Sequence, residues 1–168
     1  GASVIEFTGL TNIVALDNNR LAVNLRVTFN STVTDNQQMQ FTIASATASG
    51  TGSQFTLPNG GGATSSIAGD INRIEVTADR LAFVVQPPAG SFVETNMNPS
   101  PSVEATDSNN NRDLDFSSEV AISSSGTLSS PQTVTATNGL ATFNAVNHSS
   151  AGIGLVLTAN TSGLTTIN

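Results

Sequence analysis

Cysteine, lysine, tryptophan and tyrosine are all missing from this chain of 168 residues. Without cysteine there is neither a disulfide framework nor a thiolate metal site. Without lysine, the Lys–Asn isopeptide cross-links that staple some surface fibres are excluded, and all 5 positive charges are arginines. Losing both Trp and Tyr removes the usual stacking platforms for sugar rings, which weakens a carbohydrate-binding reading, with Phe92 and Phe116 as candidate substitutes. Charge of either sign is scarce, at 10% of residues, well under the usual quarter. The net charge of −7 argues against nucleic-acid binding, because phosphates require a basic face. No stretch resembles a signal peptide or is apolar enough to insert in a membrane. No window sustains helical periodicity with caps.

What the chain does have is Ser, Thr, Asn and Gly, residues that suit strands and turns more than helices. Leu21, Val23, Leu25, Val27 and Phe29 alternate with polar or small residues, the period-two pattern of a strand with one wet face. Met39, Phe41 and Ile43 alternate likewise, and a hairpin joining these two strands is expected. Asn59-Gly60-Gly61-Gly62 has no lysine after it and no strand–helix context, so it reads as a mobile turn rather than a phosphate cradle. Arg73–Ala78 alternates around Ile74 and Val76, then Asp79-Arg80 interrupts, and Leu81–Val85 runs into Pro87-Pro88. Further strands are expected at 100–106, 119–122, around Val134 and Ala136, at 140–146 and at 152–159, with Asn138-Gly139 as a two-residue hairpin turn. Short strands at regular spacing predict an all-β protein of two tandem immunoglobulin-like antiparallel β-sandwiches, residues 1–79 and 80–168.

The second of these resembles the immunoglobulin-like repeat modules of large bacterial secreted and cell-surface proteins, the group that includes intimin- and invasin-like tandem repeats. The resemblance is carried by Leu81-Ala82-Phe83-Val84-Val85-Gln86-Pro87-Pro88, by Val103-Glu104-Ala105-Thr106-Asp107-Ser108-Asn109-Asn110-Asn111, by Asn138-Gly139-Leu140-Ala141-Thr142-Phe143 and by Ala151–Ala159. Asn110 stands where such modules usually have Gly before Asn. Residues 1–79 match a companion module more loosely. The resemblance implies an extracellular or cell-surface role that is load-bearing or adhesive, and it supplies no catalytic residues.

One stretch is dense in oxygen ligands: Asp107, Asn109, Asn111, Asp113 and Asp115. A calcium ion needs about six to eight oxygens, and a turn can converge them. The EF-hand pattern fails here, since its Gly and Glu positions hold Arg112 and Ser118. The competing expectation is a turn whose Asx side chains bond their own backbone. Calcium is the one candidate cofactor. His148, the single histidine, lies in a polar turn and reads as solvated rather than as a general base. No enzyme signature is present.

The two halves end alike. Ala63–Asn72 and Ala159–Asn168 both reach Ile-Asn, but only the first is followed by a strand-like run. The N-terminal residues Val4, Ile5, Glu6, Phe7 and Thr8 share Ile, Glu and Thr in register with Arg73–Thr77. A sandwich lacking an edge strand exposes unpaired backbone, which an extended segment of another copy can complete. Val4–Thr8 is then the expected donor strand, and Ile153, Leu155, Leu157 and Ala159 the acceptor edge. Two other expectations compete: a neighbouring repeat supplies the strand covalently, or Leu164–Ile167 serves as a short last strand. The expected function is that of a fibre subunit or tandem stalk module whose partners are copies of itself or adjacent repeats. The alternative is an accessory adhesin or glycan-recognition module.

Overall fold

The computed structural model describes residues 8, 26–38, 40–42, 60–62, 73–130 and 132–168. The chain forms two compact units, Gly1–Thr28 with Thr42–Gly60, and Phe29–Phe41 with Gly61–Asn168. Among the described residues all regular structure is β and there is no helix. The strands are β1 (Gln40–Thr42), β2 (Gly60–Gly62), β3 (Arg80–Val85), β4 (Ser102–Thr106), β5 (Glu119–Ser124), β6 (Gln132–Thr135), β7 (Leu140–Thr142) and β8 (Leu157–Asn160). β1 pairs with β2, and the remaining strands form two three-stranded sheets ordered β3-β4-β7 and β6-β5-β8. All four pairings within these two sheets are antiparallel.

Period-two alternation sets which side chains turn inward. Leu81 in β3, Val103 and Ala105 in β4 and Ala141 in β7 join Val120 and Ile122 of β5 and Leu157 and Ala159 of β8 in one buried apolar cluster. Met97, Ala136, Phe143 and Val146 extend it from outside the strands. Every one of these strands is only three to six residues long, so each supplies only one or two apolar side chains to the cluster and the loops supply the rest. Phe143 and Val146, among the largest fully buried side chains, both come from the irregular stretch after β7.

Asn138 and Gly139 have φ of 49° and 74°, the left-handed pair that an Asn-Gly turn supplies. The expected hairpin, however, is one bridge long, Thr137 to Leu140. Beyond it the chain changes sheets, because β6 pairs with β5 while β7 pairs with β4. The turn is a corner between layers.

Several other strand expectations are corrected. Arg73–Ala78 is not a strand: it makes one antiparallel bridge, Gln38 to Arg73, with Ile74 N–H donating to Gln37 O (2.8 Å) and Ile74 O accepting from Asn36 N–H (2.9 Å), and beyond Ile74 it is held by side chains described below. Residues 26–29 are irregular and exposed, and the rest of the Leu21–Phe29 alternation lies outside the described residues. Gly60–Gly62, expected as a mobile turn, is β2 and pairs with β1; the hairpin expected between the Leu21–Phe29 run and the Phe41 strand falls largely outside the described residues. The last strand begins at Leu157, and residues 152–156 precede it as an irregular loop.

The C-terminal residues follow a short double course. Thr165 bridges Arg80 in parallel, and Ile167 bridges Ala159 in antiparallel sense. Thr165 N–H donates to Asp79 O (3.1 Å) and Leu81 N–H to Thr165 O (3.2 Å), while Ile167 and Ala159 exchange both backbone bonds (2.9 and 3.2 Å). Leu164 and Ile167 pack on the core.

Candidate functional site

The Asp107–Asp115 stretch lies between β4 and β5, where the chain turns from one sheet to the other. Asp107 Oδ1 accepts from Asn109 N–H (2.9 Å) and Asn111 N–H (2.8 Å), closing an Asx turn. Its Oδ2 accepts from Asn111 Nδ2 (2.9 Å). Asn110 takes φ 64°, the left-handed conformation that Asn tolerates among non-glycine residues. Asn for Gly at this position therefore leaves the turn intact.

Asn111 and Asp113 are buried and face backward along the chain. Asn111 Oδ1 accepts from Val33 N–H (2.9 Å) and its Nδ2 donates to Ser31 O (2.8 Å). Asp113 Oδ1 accepts from the amides of Asp115 (3.0 Å) and Phe116 (2.9 Å), and Oδ2 accepts from Ala78 N–H (3.0 Å). Asp113 N–H in turn donates to Ala105 O (3.0 Å), which ties the turn to β4.

A further carboxylate completes this group, one that sequence patterning does not single out. Asp35 is 4% exposed. Its Oδ1 accepts from Asn36 N–H (2.9 Å) and Val76 N–H (2.8 Å), and its Oδ2 from Leu114 N–H (2.6 Å). Three segments remote in sequence, 31–38, 73–78 and 107–116, are thus joined through backbone amides received by two buried carboxylates and one buried amide. The only trace of Asp35 in the sequence is an Asp-Asn pair in a polar run, which any surface turn would also show.

At the rim, Asp115 Oδ1 accepts from Asn36 Nδ2 (3.0 Å), and its Oδ2 pairs with Arg73 Nη2 (2.8 Å). Arg73 also pairs with Glu75 (2.5 Å) and donates to Asn36 Oδ1. The Asn36 hydrogen bond is the foremost influence holding the Asp115 carboxyl below the usual range, with the Arg73 guanidinium adding to it. For Asp107, burial is the largest single influence and pushes upward, but the hydrogen bonds from Asn111 and Asn109 together outweigh it and lower the value.

This geometry decides what the cluster can do. Asp107 and Asp113 direct both carboxylate oxygens at N–H donors, so their lone pairs are engaged by hydrogen rather than converging on a shared point. The Asn109 side chain is exposed, and Asp115 turns to Arg73. Among the described residues no group of three or more His, Asp or Glu side chains is disposed to hold a metal ion. The stretch works as a clasp, fastening upstream chain to the sheets.

His148 corrects its expectation: it is buried, with Nε2 2.8 Å from Ser124 Oγ. Ser124 Oγ also accepts from Gly126 N–H (3.0 Å), and the His148 carbonyl accepts from Glu94 N–H (2.8 Å). The pair pins the loop after β5 to the loop after β7. Phe92 is 82% exposed, whereas Phe116 packs against the core, so the two phenylalanines do not form one platform.

Of the expected acceptor edge, Leu157 and Ala159 lie in β8 and are buried. Ile153 is wholly exposed at 102%, outside any strand, and Leu155 is half-buried, its side chain over Gly126 and Gly152. Of the expected donor, Val4, Ile5, Glu6 and Phe7 lie outside the described residues, and Thr8 is exposed.

Compared with protein-family models, curated proteins and solved structures, the chain finds no match in any of the three.

Proposed function

We propose that this chain is an extracellular bacterial structural protein, a fibre subunit or tandem surface-stalk module built of immunoglobulin-like β-sandwiches, assembling head-to-tail with copies of itself by β-strand complementation. The observation that carries this is the clasp. The densest group of acidic and amide side chains is used to fasten segments 31–38 and 73–78 against the turn after β4. Buried hydrogen bonds that join segments remote in sequence within one compact unit resist its unravelling, which is a property a load-bearing module requires. The strand orders β3-β4-β7 and β6-β5-β8, with a C-terminal segment touching both β3 and β8, agree with the immunoglobulin-like topology that the sequence resemblance implies.

Electron microscopy and sedimentation of the full chain, beside a variant lacking residues 1–10, test the proposal. End-to-end oligomers in the first and monomers in the second are expected. Monomers of the full chain at high concentration would refute head-to-tail assembly.

One observation favours a second reading, that of an adhesin or glycan-recognition module. The loops at the end of the sheets opposite the clasp carry exposed apolar side chains, Phe92, Val93 and Ile153. In that case Phe92→Ser abolishes partner binding and leaves self-assembly unchanged.

A further inference from the structure

The outer face of the β6-β5-β8 sheet is notched at its centre. Glu119, Ala121 and Ser123 alternate along β5 with the buried Val120 and Ile122, so their side chains turn outward. In register, Ala121 stands between Thr133 of β6 and Asn160 of β8. A methyl group flanked by two longer polar side chains leaves a depression, and Ser118, Glu119 and Ser162 carry it on toward the start of β5. The resulting open groove measures about 500 Å³, within the ~300–1,000 Å³ of small-ligand sites. Thr161 fixes one wall by donating its hydroxyl to Glu119 O (2.7 Å), which fastens the turn after β8 to the beginning of β5. The rest of the groove's hydrogen-bonding capacity is unspent. Among the described residues, the side chains of Ser118, Glu119, Thr133, Asn160 and Ser162 bond no other protein group. In the clasp, by contrast, both oxygens of each buried carboxylate receive a donor.

Resting on the glycan-recognition reading above, we propose that this groove binds a neutral oligosaccharide, and that the site lies on the sheet face rather than at the Phe92 loops. The inventory of donors and acceptors selects the ligand. Ser and Thr hydroxyls and the Asn amide both donate and accept, while the Glu119 carboxylate only accepts. Sugar hydroxyls also do both, so a row of them matches the row of side chains across β6, β5 and β8. Glu119 is the one charged group lining the groove, and no cation stands beside it to receive an anionic ligand. The net charge of −7 disfavours anions further. Glu119 accepts from hydroxyls of the sugar, Thr133 and Asn160 hold it from either side, and the Ala121 methyl meets its C–H face. Binding therefore rests on hydrogen bonds to a carboxylate and its neighbours and needs no aromatic plate.

Residue-assigned NMR of the full chain, titrated with cellobiose, lactose, maltose and chitobiose, tests this, with putrescine as a cationic and inorganic phosphate as an anionic comparison. Saturable shifts of the Ala121, Thr133 and Asn160 amides with at least one of the four sugars are expected, and none with phosphate. Ala121→Leu, which fills the notch, should weaken binding more than ~tenfold, and so should Glu119→Gln, because a hydrogen bond to a charged acceptor is worth about a decade of affinity. Glu119 is exposed and its side chain bonds nothing in the protein, so its amide variant keeps the melting temperature even where Ala121→Leu lowers it. Phe92→Ser should leave the sugar shifts intact. Sugar binding that vanishes in Phe92→Ser and survives in Ala121→Leu and Glu119→Gln would overturn the groove and leave glycan recognition by the loops standing. Shifts at the groove from putrescine or phosphate but from no sugar would overturn the saccharide assignment. No shift anywhere from any of the four sugars would overturn both the groove and the glycan-recognition reading, whatever the state of assembly.

Discussion

Replacing Asp35 by Ala removes the acceptor that joins three segments. Asn36 N–H also donates to Ile74 O (2.9 Å) and keeps that partner, but Val76 and Leu114 N–H face into the clasp, at 2.8 and 2.6 Å from the lost oxygens. A buried donor left without a partner costs about 1–3 kcal/mol, and bonds to a charged acceptor lie at the upper end. Two such donors give roughly 3–5 kcal/mol for Asp35→Ala, a large part of the ~5–15 kcal/mol typical of a domain. Asp35→Asn keeps one carbonyl oxygen while turning an NH2 toward the other donor, so it strands one amide and should cost about 1–3 kcal/mol. Urea unfolding at constant m-value reads both. Native-state hydrogen exchange distinguishes local from global loss: protection of Val76 and Leu114 amides should fall well before that of Ile122, which lies in the central strand β5. A loss below ~1 kcal/mol for Asp35→Ala, with Val76 protection unchanged, would refute the clasp as a load-carrying joint.

Gly139→Ala should be the most damaging single-methyl substitution: at φ 74° its Cβ would lie 2.2 Å from the Asp113 carbonyl oxygen. The expected cost is about 2–4 kcal/mol, read as a fall in melting temperature. Acid should loosen the protein through Asp107 and Asp115. Both carboxyls are held below their ordinary values, so their contribution is complete above the unfolded value near ~3.9 and fades as pH falls through the lower folded ones. Asp107→Asn should therefore flatten the decline in stability below that pH, and an unaltered slope would count against the Asx turn. Millimolar calcium should leave the melting temperature where chelator leaves it, because the carboxylates of the turn already receive hydrogen bonds; a rise of several degrees would restore the cation-site reading.

Much of the region from Arg80 onward is legible in the sequence because period-two alternation there coincides with burial. Leu81, Val103, Ala105, Val120 and Ile122 sit in strands close to the expected bounds and all face the core. Alternation misleads where the partner is not a neighbouring strand. Ile74 and Val76 alternate well enough for a sheet, and Val76 is buried. Yet the Val76 amide bonds a carboxylate and the Ala78 amide another, so side-chain oxygens replace the ladder. Asn138-Gly139 signals a turn rightly and an extended hairpin wrongly, since local turn chemistry fixes two φ angles but not the sheet to which the following strand belongs. His148 and Asp35 are invisible for a related reason. Each sits in a run of Asn, Ser and Thr, and only long-range contacts decide that it is buried.

The clasp has a simple physical origin. Segments 31–38 and 73–78 reach the turn after β4 without forming a sheet with it, so their amides need acceptors that strands would otherwise provide. Short acidic and amide side chains meet that need where the backbone cannot, provided each oxygen is directed at a donor. Asp35, Asp113 and Asn111 satisfy this, and their burial follows from it. A joint made this way is specific in a manner that apolar packing is not: shifting either segment by one residue would leave several buried amides unpaired at once. In the proposed fibre module, such a joint would hold segments 31–38 and 73–78 to the turn after β4 without a disulfide or a lysine cross-link.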